Sequence, residues 1–277
     1  MGAMAEKADE AGRRADNSRG LDRGIRFGLV VYGVVHLTFA WLAVQLAFGD
    51  GSGEASGSGA VQELARQPLG GLVLWAIAVG MALLVLWRLL DATRGHREED
   101  GTTLWRKRAA DVGMAGVYGV LAYSALSTVL GASSGSGSGG QTSRTVTARA
   151  MELPGGQLLV GAVGVAVIAL AGALAWRGIS QSFMERLDVE GRHGQDSRAY
   201  RLLGTVGYVA KGATLAIVGL LVVVSAVRHQ PSQTGGTDTA LRELLDQPFG
   251  PYLLGAMAVG IAAYGLFCFA RARHMSR

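Results

Sequence analysis

Charge is scarce in this sequence. Only 17% of the 277 residues are Asp, Glu, Lys or Arg, while 49% are hydrophobic; soluble domains carry roughly 25% charged residues. That balance excludes an intrinsically disordered chain and argues against an ordinary soluble enzyme. Cysteine is nearly absent: Cys268 stands alone, which excludes an intramolecular disulfide and a cysteine metal cluster. Five prolines exclude a collagen-like or Pro-rich filament. The formal net charge is +5, and the charges that exist lie between apolar runs.

Those runs are Phe27 to Phe48, Leu69 to Trp87, Val112 to Ala132, Gln157 to Trp176, Leu202 to Val227 and Phe249 to Ala270. All but the fifth lack Asp, Glu, Lys and Arg. About 20 helical residues at 1.5 Å each cross a hydrocarbon core of about 30 Å. Each run is of that order and apolar all round, unlike a buried helix of a soluble protein, which keeps a polar face. The first run begins only at Phe27 and continues for a full span, so it is expected to be retained rather than cleaved as a signal peptide. The fold class expected is an all-α polytopic membrane protein with six transmembrane helices.

The basic residues set the expected orientation. The N-terminal arm, the connections after the second and fourth runs, and the C-terminal tail together hold 20 of the 26 Lys and Arg. The other three connections hold only Arg66, Arg144, Arg149, Arg228 and Arg242, and Lys211 lies inside a run. By the positive-inside rule both termini are cytoplasmic in a bacterial plasma membrane. Trp87, Trp105 and Trp176 fall at the same boundaries, where indole rings favour the headgroup layer.

The sequence repeats. Ala60-Val61-Gln62-Glu63-Leu64-Ala65-Arg66-Gln67-Pro68-Leu69-Gly70 returns as Ala240-Leu241-Arg242-Glu243-Leu244-Leu245-Asp246-Gln247-Pro248-Phe249-Gly250, offset by 180. A degenerate middle copy keeps Ala148, Met151, Leu153, Pro154 and Gly155. Gly33, Gly119 and Gly212 mark equivalent points in the first helix of each unit. Gly33 to Gly119 and Pro68 to Pro154 are both 86 residues apart. The domain reading is a flexible cytoplasmic arm over 1–22 and repeats over 23–98, 105–188 and 198–273. Each unit is a helix, a loop with a short amphipathic helix, a Pro-Gly entry with proline in the first turn of the next helix, a second helix and a basic connection. Three parallel two-helix units imply pseudo-threefold symmetry about the membrane normal.

This pattern resembles a bacterial membrane family known as domain of unknown function 1206, whose members carry three tandem two-helix units. The matching residues are Gly28 to Gly33 with Tyr32, Gly207-Tyr208-Val209-Ala210-Lys211-Gly212, Gln67-Pro68-Leu69-Gly70, Gln247-Pro248-Phe249-Gly250 and Gly260 to Arg271. The resemblance covers nearly the whole chain after about residue 20. In such families a basic residue often precedes the repeated glycine; here Tyr32 and Tyr118 replace it, leaving Lys211 to perform any role it has. The resemblance supports the architecture and implies no chemistry.

The candidate intramembrane polar site is Lys211, His36, Tyr32, Tyr118 and Thr214. Lys211 is the one formal charge deep in a run, about nine residues or ~13 Å from the start of its helix. Its stem either snorkels to the headgroups or holds an ion or proton site inside the bundle. His36 shares a helix face with Tyr32 and is either a proton relay or a neutral, hydrogen-bonded imidazole. Polar residues concentrate in first helices, so these are expected to face the axis and second helices the lipid. Gly33, Gly119, Gly212, Pro68, Pro154 and Pro248 are the expected repeat-packing residues. The Gly-Ser stretches from Gly49 to Gly59 and Ser133 to Gly140 are expected to be flexible linkers. No catalytic, cofactor or metal motif stands out, so the expectation is a non-enzymatic scaffold or a partner- or lipid-binding protein without cofactors; a small-solute, ion or proton conduit is the alternative. Expected partners are membrane lipids and a protein partner through the outer loops, with no nucleic acid.

The topology yields a direct test. Cysteines introduced at Ser58 or Thr237 should react with an impermeant thiol reagent in intact cells, and one at Ser197 should not. Labelling at Ser197 alone would reverse the orientation.

Overall fold

The computed structural model describes residues 19–49, 54–94, 101–130, 147–152, 155–187, 189, 192, 195–228 and 236–274. Expectations for residues 1–18, the stretch from Ser133 to Gly140, and Pro154 lie outside the described residues. The helices are α1 (Arg19–Phe48), α2 (Gly57–Arg66), α3 (Gly70–Arg94), α4 (Gly101–Val129), α5 (Gly156–Ile179), α6 (Ser197–Arg228), α7 (Thr237–Leu245) and α8 (Gly250–Arg273), with a 3-10 turn at Ser182–Arg186. Of these, α1, α3, α4, α5, α6 and α8 are long and apolar enough to cross a membrane. The protein is a multi-pass, all-α membrane protein. The short helices α2 and α7 define one face, called here the short-helix face; the start of α1 and the end of α8 define the opposite, basic face.

Units one and three turn into their second helices by the same device. Gly70 donates to the Gln67 carbonyl and Gly250 to the Gln247 carbonyl, both at 2.8 Å. Pro68 and Pro248 therefore occupy the second position of a tight turn. Leu69 and Phe249 at the third position take positive φ of 68° and 60°, the conformation of a type II turn. The expected place of proline in the first helical turn is thus corrected: both prolines precede the helix, because their fixed φ is used to make the turn. The next residue must be glycine, since a Cβ at Gly70 or Gly250 would collide with the Ala65 or Leu245 carbonyl. Gly155, with φ of 76°, takes the left-handed position in the middle copy.

The Gly49 to Gly59 stretch is only partly the linker expected. Ser56 caps α2 by accepting from Gly59 N–H at 3.0 Å, and its hydroxyl donates to Glu54 Oε1 at 2.7 Å. Ala55, fully buried, donates its N–H to Asp238 Oδ1 of α7 at 2.8 Å. These bonds fix residues 54–59 and tie the short-helix loops of units one and three together.

The helices form a ring with threefold pseudosymmetry, and its strongest contacts run between units. The second helix of each unit packs on the first helix of the next: α3 on α4, α5 on α6, and α8 back on α1. Within units α1 meets α3 and α6 meets α8, whereas α4 and α5 share no such interface. The ring is therefore open in the middle unit, and α4 and α5 are the most exposed spans. This corrects the expected division into axial first helices and lipid-facing second helices. α8, a second helix, is buried as extensively as α1, because closure of units one and three places both at the centre.

The repeated glycines do not act alike. Gly33 and Gly265 bring α1 and α8 into backbone contact, a Cβ on Gly33 lying 2.9 Å from the Gly265 carbonyl oxygen. Gly212 meets α5 at Ala171 and Ala175. A Cβ on Gly119 would find nothing within 4 Å. The expected packing role of Gly119 is corrected accordingly, since its Cβ position opens onto empty space. Gly33→Val should destabilise the protein by about 1–3 kcal/mol through overpacking, while Gly119→Ala should be neutral or slightly stabilising. Unfolding in detergent measures both, and equal losses would refute the distinction.

Candidate functional site

The residues that precede the repeated glycines converge. Lys211 of α6 donates from Nζ to Tyr32 Oη of α1 at 2.7 Å, so its side chain runs inward and not to the headgroups. Tyr118 of α4 meets the Tyr32 ring edge-on with centroids 4.9 Å apart. Pseudosymmetry thus carries three equivalent positions from three units to one place near the axis.

His36 completes the contact. Its Nδ1 lies 2.9 Å from the Tyr32 carbonyl oxygen, which only accepts, so Nδ1 carries the proton. Nε2 then presents its lone pair to Lys211 Nζ at 3.4 Å. The ammonium is also 4.2 Å from the centroid of Tyr264 and 5.1 Å from that of Tyr32, within the range of cation–π attraction. A hydroxyl, an imidazole nitrogen and two ring faces surround Lys211, and no carboxylate among the described residues pairs with it. Thr214 lines the same space, but its hydroxyl donates back to the Ala210 carbonyl at 3.0 Å.

Above this floor lies a cavity of about 350 Å³ reaching toward the short-helix face. Val35 and Phe39 of α1, Val117, Val120 and Leu121 of α4, Leu215 of α6 and Ile261 of α8 make its walls. Its rim is built by Glu54, Ser56, Gly57 and Ser58 and by Gly236 and Thr237, at the N-termini of α2 and α7. Glu54 Oε1 accepts from the hydroxyls of Ser56 and Ser58, which hold it beside the positive end of α2. Val120 is 64% exposed, so the cavity also reaches the protein surface beside α4.

A second polar group, scarcely signalled in the sequence, lies toward the basic face. Arg88 and Arg271 count as connection charges in the topology argument, yet both are buried. Arg88 of α3 donates to Asp111 of α4 at 2.8 Å across a buried ion pair, which holds the junction where Gly119 makes no close contact. Arg271 of α8 is within electrostatic range of Tyr118, Tyr208, Tyr264 and Cys268 and forms no ion pair among the described residues. Arg88 Nε and Tyr118 Oη are among the buried polar atoms that have no hydrogen-bond partner among the described residues. The available sequence signal was Asp111, an acid immediately before an apolar run.

The sequence profile of Domain of Unknown Function (DUF1206) matches this chain three times, over residues 27–95, 112–181 and 206–274. The chain belongs to the DUF1206 family. The uncharacterized protein YxxB of Bacillus subtilis (strain 168) is similar to it, 31% identical over 257 residues that cover 91% of this chain and 90% of that protein. No solved structure matches. The three profile matches each contain one of the positions gathered at the floor, Tyr32, Tyr118 and Lys211. The three repeats of this chain therefore bring these positions to one shared centre. Among the described residues no group of His, Cys, Asp and Glu is placed to hold a metal.

Two outcomes follow. Asp111→Asn should cost about 3–5 kcal/mol by stranding the Arg88 charge, and Arg88→Met with Asp111→Leu should recover most of it; absence of recovery in unfolding measurements would refute the pairing. Tyr118→Phe removes a buried hydroxyl that has no partner and should leave the unfolding temperature unchanged or raised.

Proposed function

We propose that this DUF1206 protein is a non-catalytic binding protein of the bacterial plasma membrane that holds an amphipathic anion in the cavity above Lys211. Both termini are placed in the cytoplasm by the positive-inside rule, so the cavity rim faces outward. The observation that carries the reading is an ammonium at the floor of an apolar-walled cavity with neutral acceptors and ring faces around it. A charge in that setting favours an anionic group over water or a neutral one. The walls of Val, Leu, Ile and Phe favour an apolar body behind that group. A volume near 350 Å³ sits at the lower end of small-molecule sites, which fits a short-chain or aromatic anion. Membrane lipids surround the protein, and the face built by α2 and α7 is its surface for a protein partner; neither a cofactor nor nucleic acid enters this reading.

Octanesulfonate, which stays ionised at every working pH, tests it. Titrated calorimetrically into the full-length protein in nanodiscs, it should bind at least tenfold more tightly than octyltrimethylammonium. Lys211→Met, similar in length but uncharged, should erase the preference. Equal binding of the two amphiphiles to the unaltered protein would overturn the proposal.

A further inference from the structure

The second polar group raises a question that binding alone leaves open. Lys211 contacts Tyr264 of α8, and Arg271 lies seven residues further along that helix, roughly 10 Å toward the basic face at 1.5 Å per residue. The floor at the Lys211 level is itself built of tyrosines, and Tyr118, Tyr208 and Tyr264 are also within electrostatic range of Arg271. Tyr32 and Tyr118 meet edge-on at 4.9 Å, and Tyr264 meets Tyr32 at 6.2 Å and Tyr208 at 5.3 Å. Cys268 lies in the same layer, fully buried and within electrostatic range of both Lys211 and Arg271.

From Lys211 to Arg271 the charges are of one sign, and the acid that lines the cavity, Glu54, stands at its rim, where it accepts from Ser56 and Ser58. Asp111 is matched by Arg88, so Lys211 and Arg271 are two interior cations without an acidic partner among the described residues. A scaffold needs neither, and isolated interior charges are costly enough to mark ion pathways in membrane proteins. A binding pocket accounts for Lys211 alone; Arg271 stands in the last turn of α8, yet its side chain turns into the bundle and not to the surface. One cation seated in a thin aromatic floor and a second further toward the basic face match a route on which an anion is stabilised at the floor and again below it. Tyrosine suits the layer, because its ring blocks passage while its hydroxyl can solvate an anion when the ring turns. Tyr118, whose hydroxyl is buried without a partner, is free to turn without breaking a hydrogen bond, and α4, which carries it, lies beside the opening in the ring.

We infer that the Tyr32, Tyr118, Tyr208 and Tyr264 layer is a closed gate between the Lys211 cavity and Arg271, and that the protein passes amphipathic anions across the membrane. The inference rests on the binding reading above and adds passage to it.

The test uses the full-length protein in lipid vesicles, with a hexanesulfonate gradient and a voltage-sensitive dye. The unaltered protein should generate a potential above that of empty vesicles, Tyr118→Ala should raise the initial rate at least fivefold, and Lys211→Met and Arg271→Met should each lower it at least fivefold. Tyr264→Leu serves as a second gate variant if Tyr118→Ala fails to fold. The native Cys268 gives an independent readout: in a gate variant a sulfonate-bearing methanethiosulfonate should modify it at least tenfold faster than a trimethylammonium-bearing one, and Lys211→Met should remove that preference. Folded gate variants that pass no more hexanesulfonate than empty vesicles, or that react equally with the two reagents, would overturn the gate. Lys211-dependent binding of octanesulfonate without flux would leave the binding site standing and sink passage alone; loss of that binding would sink both.

Discussion

An ammonium ion at the centre of a hydrocarbon layer costs at least about 2.5 kcal/mol on insertion scales, and a helix carrying one must find acceptors or leave the membrane. Lys211 finds them through tertiary contacts. Tyr32 supplies a hydroxyl, His36 supplies a lone pair because its other nitrogen is committed to a backbone carbonyl, and Tyr264 supplies a ring face. Those groups come from α1 and α8, so the placement of the charge depends on closure of units three and one. The Gly33 to Gly265 approach makes that closure possible. A bulkier residue at either glycine would part α1 from α8 and disturb the cage around Lys211.

The same arrangement accounts for the unequal roles of the repeats. Units one and three form the closed part of the ring, and their short-helix loops are joined by the Ala55 to Asp238 hydrogen bond. The middle unit is splayed, with α4 held on α3 and α5 held on α6. Where two junctions use small residues to bring backbones together, the third uses an ion pair between Arg88 and Asp111. A buried ion pair adds little net stability, but it penalises misalignment because either charge alone is costly. The open side of the ring leaves Val117 and Val120 lining the cavity while they remain exposed on α4.

Much of the architecture was legible in the chain. Six apolar runs, the 180-residue offset of two loop motifs and the glycines at equivalent points all report local or repeated physics, which composition and spacing preserve. Lys211, His36 and Tyr32 stood out because polar groups inside apolar runs are expensive wherever the helices go. Arg88 and Arg271 did not, because a basic residue at the end of a run looks the same whether it turns to the headgroups or into the bundle. Tyr208 and Tyr264 carry no such mark, since an aromatic residue in an apolar helix has no signature that separates the axis from the lipid face.

The sequence by itself determined the helices, their repeat and the costly charge, because hydrophobic run length, turn chemistry and the desolvation of an ammonium depend on neighbours along the chain. Tertiary structure alone decided which way Lys211 points, that Tyr32 and Tyr118 join it, that Gly119 packs against nothing while Gly33 packs tightly, and that a cavity lies above the floor. Those outcomes depend on which helix faces lie opposite one another, and a near-symmetric repeat allows several such pairings until closure of the ring selects one.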